Sequence, residues 1–123
     1  MRIFFCLISV IIGGCESNVL TGLDKLKSTH FEILQGKNVG LVINHTALDK
    51  YGNHIIELLA QESEIKVSKI FSPEHGYKGT HSAGELVRDD VEPLTGAKIV
   101  SLYGGNKKTS SKELKNIDVL VYD

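Results

Sequence analysis

Ile65-Lys66-Val67-Ser68-Lys69-Ile70-Phe71-Ser72-Pro73-Glu74-His75-Gly76 is the stretch on which the fold turns. Ile65, Val67 and then Ile70-Phe71 alternate with polar residues in the manner of an edge-proximal β-strand. The run breaks at Pro73. Proline fixes its own φ, pushes Ser72 toward an extended conformation and cannot continue a ladder, while Gly76 can take backbone angles closed to other residues. The break therefore presents a carboxylate, Glu74, and an imidazole, His75, at a rim where proton-transfer chemistry can use them.

Working outward, the segments on either side alternate between helix-like and strand-like patterns. Val39-Gly40-Leu41-Val42-Ile43 is a continuous apolar run suited to a strand covered on both faces, and Asn44-His45-Thr46 follows at its carboxyl end. Leu20 to Leu34 carries apolar residues at Leu23, Leu26, Phe31, Ile33 and Leu34, predicting a helix with Gly36 as its stop. Between the two strands, Ile55, Ile56, Leu58, Leu59 and Ala60 form the broad apolar face of a second helix over 54–61, with Asn53 as the N-cap. Downstream of a glycine-containing loop, Ile99 to Tyr103 predicts a third strand. Ser110-Ser111-Lys112-Glu113 fits a capping box that opens a short helix before a fourth strand at Ile117 to Tyr122. Strands separated by helices imply right-handed crossovers, and so an α/β fold: an open, mostly parallel, Rossmann-like sheet with flanking helices.

That topology gives the loops meaning, because ligands of open parallel sheets sit beyond the carboxyl ends of the strands. Asn44, Glu74-His75, Tyr103-Gly104 and Asp123 each lie just after one of the four strands. Residues distant in sequence then converge on one cleft, with neighbouring strands ~4.8 Å apart. Each has a plainer alternative. Glu74-His75 would otherwise be solvated surface, and Asn44-His45-Thr46 would simply close a turn, since Asn and Thr readily hydrogen-bond nearby backbone. Tyr103 would be a half-buried strand-end aromatic, and Asp123 the charged end of the chain.

The chain of 123 residues, 41% of them apolar and 24% charged, holds one ordinary domain core. A net charge of −1, with no basic run longer than Lys107-Lys108, argues against nucleic acid as a partner. Neither G-x-G-x-x-G nor G-x-x-x-x-G-K-[ST] occurs, which disfavours nucleotide binding, and no G-x-S-x-G elbow is present. His30, His45, His54, His75 and His81 have no compact metal spacing, so no metal and no cofactor is expected.

The amino terminus stands apart from the fold. Arg2 supplies a positive start, Ile3 to Ile12 is apolar apart from Ser9, and Gly13-Gly14 precede Cys15. Ten such residues are too few for a stable transmembrane helix and match the apolar region of an export signal. Ile12-Gly13-Gly14-Cys15 resembles a bacterial lipobox, the alternative being an ordinary secretory signal with an incidental cysteine. Cys6 would leave with the signal, so Cys15 would be the only thiol of the mature chain, which excludes an internal disulfide; acylation is one use for it. The expected division is a lipoprotein signal at 1–14, a tether at 15–22 beginning with lipidated Cys15, and a folded part at 23–123. The protein would be exported and anchored to a bacterial membrane, facing the periplasm or exterior, without spanning it.

Taken in order, Gly40-Leu41-Val42-Ile43-Asn44-His45-Thr46, Phe71-Ser72-Pro73-Glu74-His75-Gly76-Tyr77-Lys78-Gly79, Ala83-Gly84-Glu85, Ser101-Leu102-Tyr103-Gly104 and Ile117 to Asp123 resemble the NamZ (YbbC-like) family. The resemblance covers nearly the whole chain after the signal. It implies an exo-β-N-acetylmuramidase fold and chemistry, the removal of terminal N-acetylmuramic acid from the non-reducing ends of peptidoglycan fragments. It implies that Glu74 is the catalytic carboxylate, the general acid on the glycosidic oxygen, and that His75 orients it or holds the sugar. Asn44 would bind a sugar hydroxyl or the acetamido group, Tyr103 would lie against the ring, and Asp123 is a candidate second carboxylate by its position alone.

Members of that family continue for several hundred residues, whereas this sequence halts at Val121-Tyr122-Asp123. The expectation is a truncated fragment that keeps the Glu74 loop and lacks the remainder of the cleft. The alternative to a glycosidase is then a non-catalytic, membrane-anchored lipoprotein that at most binds cell-wall sugars.

Overall fold

Asn38–Val42 forms the central strand, β1, of a sheet whose other members are β2 (Lys66–Ser72), β3 (Lys98–Ser101) and β4 (Val119–Tyr122). The computed structural model describes residues 19–73, 91–102 and 109–123. All four strands are parallel, in the order β3-β2-β1-β4. The α/β class and the parallel sheet follow the sequence reading. The signal, Cys15, Glu74, His75, His81, Ala83-Gly84-Glu85 and Tyr103-Gly104 lie outside the described residues.

The pairing register sorts the strand side chains onto two faces. Val39, Leu41 and Ile43 of the β1 segment share a face with Val67 and Ile70, Ile99, and Val119 and Val121. These residues belong to one apolar cluster with Leu23, Phe31, Leu34, Ile55, Ile56 and Leu59, supplied by the helical segments. Val39 and Leu41 are fully buried, as a strand with neighbours on both sides and helices above requires. The opposite face carries Gly40, Phe71, Val100, Leu120 and Tyr122; Phe71 and Val100 are buried there, whereas Leu120 and Tyr122 are exposed.

β2 is edge-proximal, as its alternation suggests: it lies between β1 and the edge strand β3, with β4 the other edge. The break in its alternation has a further cause. The partner of Val39 is Val67, but that of Gly40 is Lys69, so Ser68 is an extra residue in the ladder. The Ser68 hydroxyl donates to the Val39 carbonyl at 3.2 Å. This bulge shifts the core-facing positions from odd-numbered Val67 to even-numbered Ile70.

The first helix is shorter than its periodicity predicts. α1 spans Gly22–Ser28 and opens on a capping box in which Thr21 and Asp24 satisfy each other's backbone N–H groups. It ends when His30 and Phe31 enter the left-handed region at φ 50° and 53°. The Phe31 N–H donates to Leu26 O at 3.0 Å and the His30 N–H to Lys27 O at 2.9 Å, the paired bonds of a Schellman stop. Phe31 is thereby turned into the core, and a short 3-10 turn at Glu32–Leu34 buries Leu34 as well. Gly36, at φ +69°, serves the turn into β1 and is not the helix stop.

α2 spans Ile55–Leu59, with Ile55, Ile56, Leu58 and Leu59 buried. Its N-cap is His54, not Asn53: the imidazole accepts from the Ile56 N–H, and Glu57 returns a bond to the His54 N–H. Asn53 is drawn away by Asp49, whose carboxylate accepts from the Asn53 N–H at 2.8 Å and from the Asn53 amide at 2.9 and 3.1 Å.

Asp49 is the hub of the β1–α2 connection. It is buried, and its carboxylate also accepts from the Tyr51 N–H at 2.9 Å and the Lys27 ammonium at 2.6 Å. Burial works to raise its pKa, but the hydrogen bonds from Asn53, Lys27 and Tyr51 outweigh it and hold the carboxyl well below the usual range. Asp24 accepts from the Lys50 and Thr21 N–H groups, which lower its pKa, so α1 and this connection are joined at two carboxylates.

The capping box read at Ser110 and Glu113 is present and opens α3, Ser111–Leu114. From α3 the chain reaches the second face, where Ile117 packs over Gly40 and the Lys69 ammonium donates to the Glu113 carbonyl.

Candidate functional site

Strand order decides where a ligand can enter. The chain winds from β1 outward to β2 and β3, then returns to place β4 on the other side of β1. The winding direction reverses between β1 and β4, and the crevice outside the carboxyl ends at such a switch point is the usual ligand position in open α/β sheets. Asn44 follows β1 and Asp123 follows β4, so the two residues flank that point.

The strands end almost flush. Val42 is in register with Phe71 on one side and with Tyr122 on the other, and Ser72 with Ser101. Pairing persists one step further: the Asp123 N–H donates to Val42 O at 3.1 Å and the Leu102 N–H to Ser72 O at 2.8 Å. Extending this register places Asn44 beside Pro73, and Pro73 beside Leu102. Those two residues directly precede Glu74 and Tyr103 in the sequence. The structure thus brings Asn44 and Asp123 to one edge, together with the attachment points of the Glu74-His75 and Tyr103 segments. Four strands at ~4.8 Å spacing make that edge about 14 Å wide.

The Asn44 side chain closes the turn that the sequence left open as an alternative. Its Oδ1 accepts from the Thr46 N–H at 2.7 Å and the Thr46 hydroxyl at 2.6 Å, an Asx turn that reverses the chain at the strand end. Its carbonyl accepts from the Ala47 N–H at 3.3 Å and lies 3.0 Å from His54 Nε2. The side-chain NH2 makes no hydrogen bond among the described residues and is the part of Asn44 able to donate to a ligand. Asp123 is exposed, with its backbone held to β1. Ser72, fully buried at the end of β2, donates weakly to Pro73 O at 3.4 Å and was not singled out by its sequence context.

Beside the Asn44 turn a cavity of about 490 Å³ extends from His45 and His54 past Leu48 and Ile56 to Pro93 and Leu94. His45 is exposed at its rim, while Glu92 beneath is buried and accepts from the Thr95 N–H and hydroxyl at 2.8 and 2.7 Å. The described groups therefore supply an amide donor, a carboxylate and an imidazole to the edge, a set fitted to polar, hydroxyl-bearing ligands. No group of three or more His, Cys, Asp or Glu side chains fit to hold a metal occurs among the described residues. Nor is any described helix long and apolar enough to cross a membrane.

A parallel α/β domain with polar groups gathered at the carboxyl edge of its sheet, on both sides of the switch point, is the class that this fold and edge define. Residues 39–123 match the family described as exo-beta-N-acetylmuramidase NamZ, N-terminal, and the chain belongs to that family. It is 35% identical over 108 residues to the peptidoglycan beta-N-acetylmuramidase NamZ of Bacillus subtilis (strain 168), an alignment covering 88% of this chain and 26% of that protein. Two crystal structures of DUF1343 family proteins from Bacteroides fragilis NCTC 9343 share the fold. One superposes with a TM-score of 0.73 at 36% identity, over 85% of this chain and 25% of its own. The other gives 0.64 at 31% identity, over 87% and 26%. The chain spans about a quarter of the length of these relatives.

Proposed function

We propose that this chain contributes the amino-terminal wall of a peptidoglycan glycosidase site, releasing terminal N-acetylmuramic acid from the non-reducing ends of wall fragments. The observation that carries the reading is the convergence of Asn44, Asp123 and the strand end leading to Glu74 at one sheet edge, in a member of the NamZ family. In this scheme Glu74 is the general acid that protonates the glycosidic oxygen, and His75 orients it or holds the sugar. Asn44 donates its amide to a hydroxyl or acetamido oxygen, Tyr103 lies along the ring, and Asp123 stands as the second carboxylate. No metal or cofactor takes part.

The proposal extends to location. Export through the 1–14 signal and acylation of Cys15 would tether the domain to a bacterial membrane, in contact with the wall that supplies its substrate. Metabolic labelling with a fatty acid, lost in Cys15→Ser, tests this part. Retention of the label would overturn it.

The activity itself is tested by release of N-acetylmuramic acid from a synthetic β-glycoside, with Glu74→Gln as the control. Release above background that Glu74→Gln abolishes supports a hydrolase. Binding of the sugar with no release would make the chain a non-catalytic wall-binding lipoprotein.

A further inference from the structure

His54 touches both the helix that follows it and the residue at the centre of the sheet edge. Its Nδ1 lies 3.4 Å from the Ile56 N–H nitrogen, a donor, so this ring atom accepts. Its Nε2 lies 3.0 Å from the Asn44 carbonyl oxygen, which has no proton to give, so this ring atom donates. The two contacts together assign one tautomer, a neutral ring with its proton on Nε2.

Asn44 is consequently held from both ends. The Ala47 N–H and the His54 ring converge on its carbonyl, and Thr46 occupies its Oδ1. What remains to face a ligand is the Asn44 NH2. A backbone hairpin reinforces the geometry: Leu48 and His54 form an antiparallel bridge, and the Ile55 N–H donates to Ala47 O at 3.0 Å.

We propose that His54 is a positioning residue for Asn44: by donating to the Asn44 carbonyl, it fixes the strand-end turn that leaves the Asn44 NH2 as the group able to donate to a ligand at the sheet edge. The identity of the ligand, a muramyl sugar, rests on the functional reading above; the tie between His54 and Asn44 rests on the geometry alone. Helix capping and positioning are separable, because asparagine is a strong N-cap whose shorter side chain cannot bridge to Asn44 as the imidazole does.

The experiment uses the full chain and His54→Asn, followed by NMR and titrated with N-acetylmuramic acid. In the wild type the ring ¹⁵N signals should show a single protonated nitrogen, Nε2. His54→Asn should keep the α2 amide signals and the unfolding midpoint, yet move the Thr46 amide and Asn44 side-chain signals and weaken the sugar about fivefold, the loss of one ordinary hydrogen bond. Unmoved Thr46 and Asn44 signals would reduce His54 to a helix cap and overturn the proposal. Should the wild type fail to bind the sugar, the glycosidase reading is the one that fails, and the Thr46 and Asn44 signals decide the positioning role by themselves.

Discussion

A Cβ placed on Gly40 would stand 2.9 Å from Ile117 Cδ1 and 3.0 Å from Leu120 Cδ1, so the absence of a side chain in the central strand is what lets the β4 segment settle on that face. The obstructing atoms are the far ends of side chains that retain some exposure, and they can yield to one methyl group. Gly40→Ala should therefore lower stability by about 1 kcal/mol, whereas the branched side chain of Gly40→Val should cost about 3 kcal/mol. Urea unfolding of the two variants checks the difference. Equal midpoints would show that β4 does not rely on this gap.

Asn44 has two jobs in the scheme, and one substitution separates them. Asn44→Asp keeps an oxygen for the Thr46 N–H and hydroxyl, so the turn should survive with a stability change under about 0.5 kcal/mol. It removes the NH2 donor and should weaken N-acetylmuramic acid binding about tenfold. Asn44→Ala removes both functions and should lose about 1 kcal/mol of stability in addition. If Asn44→Asp binds the sugar as well as the wild type does, Asn44 is a turn residue only.

The parts of this fold that were legible in the sequence are those set by local pattern. Val39 to Ile43 reads as a covered strand because every position is apolar, and the Ser110 capping box reads from two residues three apart. The helix stop at Ser28 was hidden, since the left-handed positions are occupied by His30 and Phe31 where a glycine would have announced them. The burial of Phe31 compensates that strain, and burial depends on the rest of the fold. For the same reason the Ser68 bulge was hidden: periodicity along one chain cannot reveal an extra residue in a ladder made with another.

The candidate site divides along the same line. Polar residues after strands mark its members, so Asn44 and Asp123 could be named from the sequence. That they flank the switch point follows only from β4 lying beside β1. In the sequence pattern His54 opens a helix with Asn53 as its cap. Its contact with Asn44, ten residues away, required the hairpin that Asp49 organises.

That organising role makes Asp49 a point of acid sensitivity among the described residues, alongside Asp24 and Asp118. Its carboxyl is held below the usual range in the folded state, as is that of Asp24, while in the unfolded chain both titrate near about 4. The unfolded state then binds more protons in acid, so the stabilisation is fully present above about pH 5 and drains away as the pH falls through 4 toward the depressed folded values. Asp49→Asn removes the charge that pairs with Lys27 and should lower stability at pH 7. The same variant should flatten the decline between pH 5 and pH 3, because the titrating group is gone. Urea midpoints at pH 7, 5 and 3 provide the measurement. Parallel curves for wild type and Asp49→Asn would mean that the acid response resides elsewhere, with Asp24 and its bonds to Thr21 and Lys50 the next group to replace.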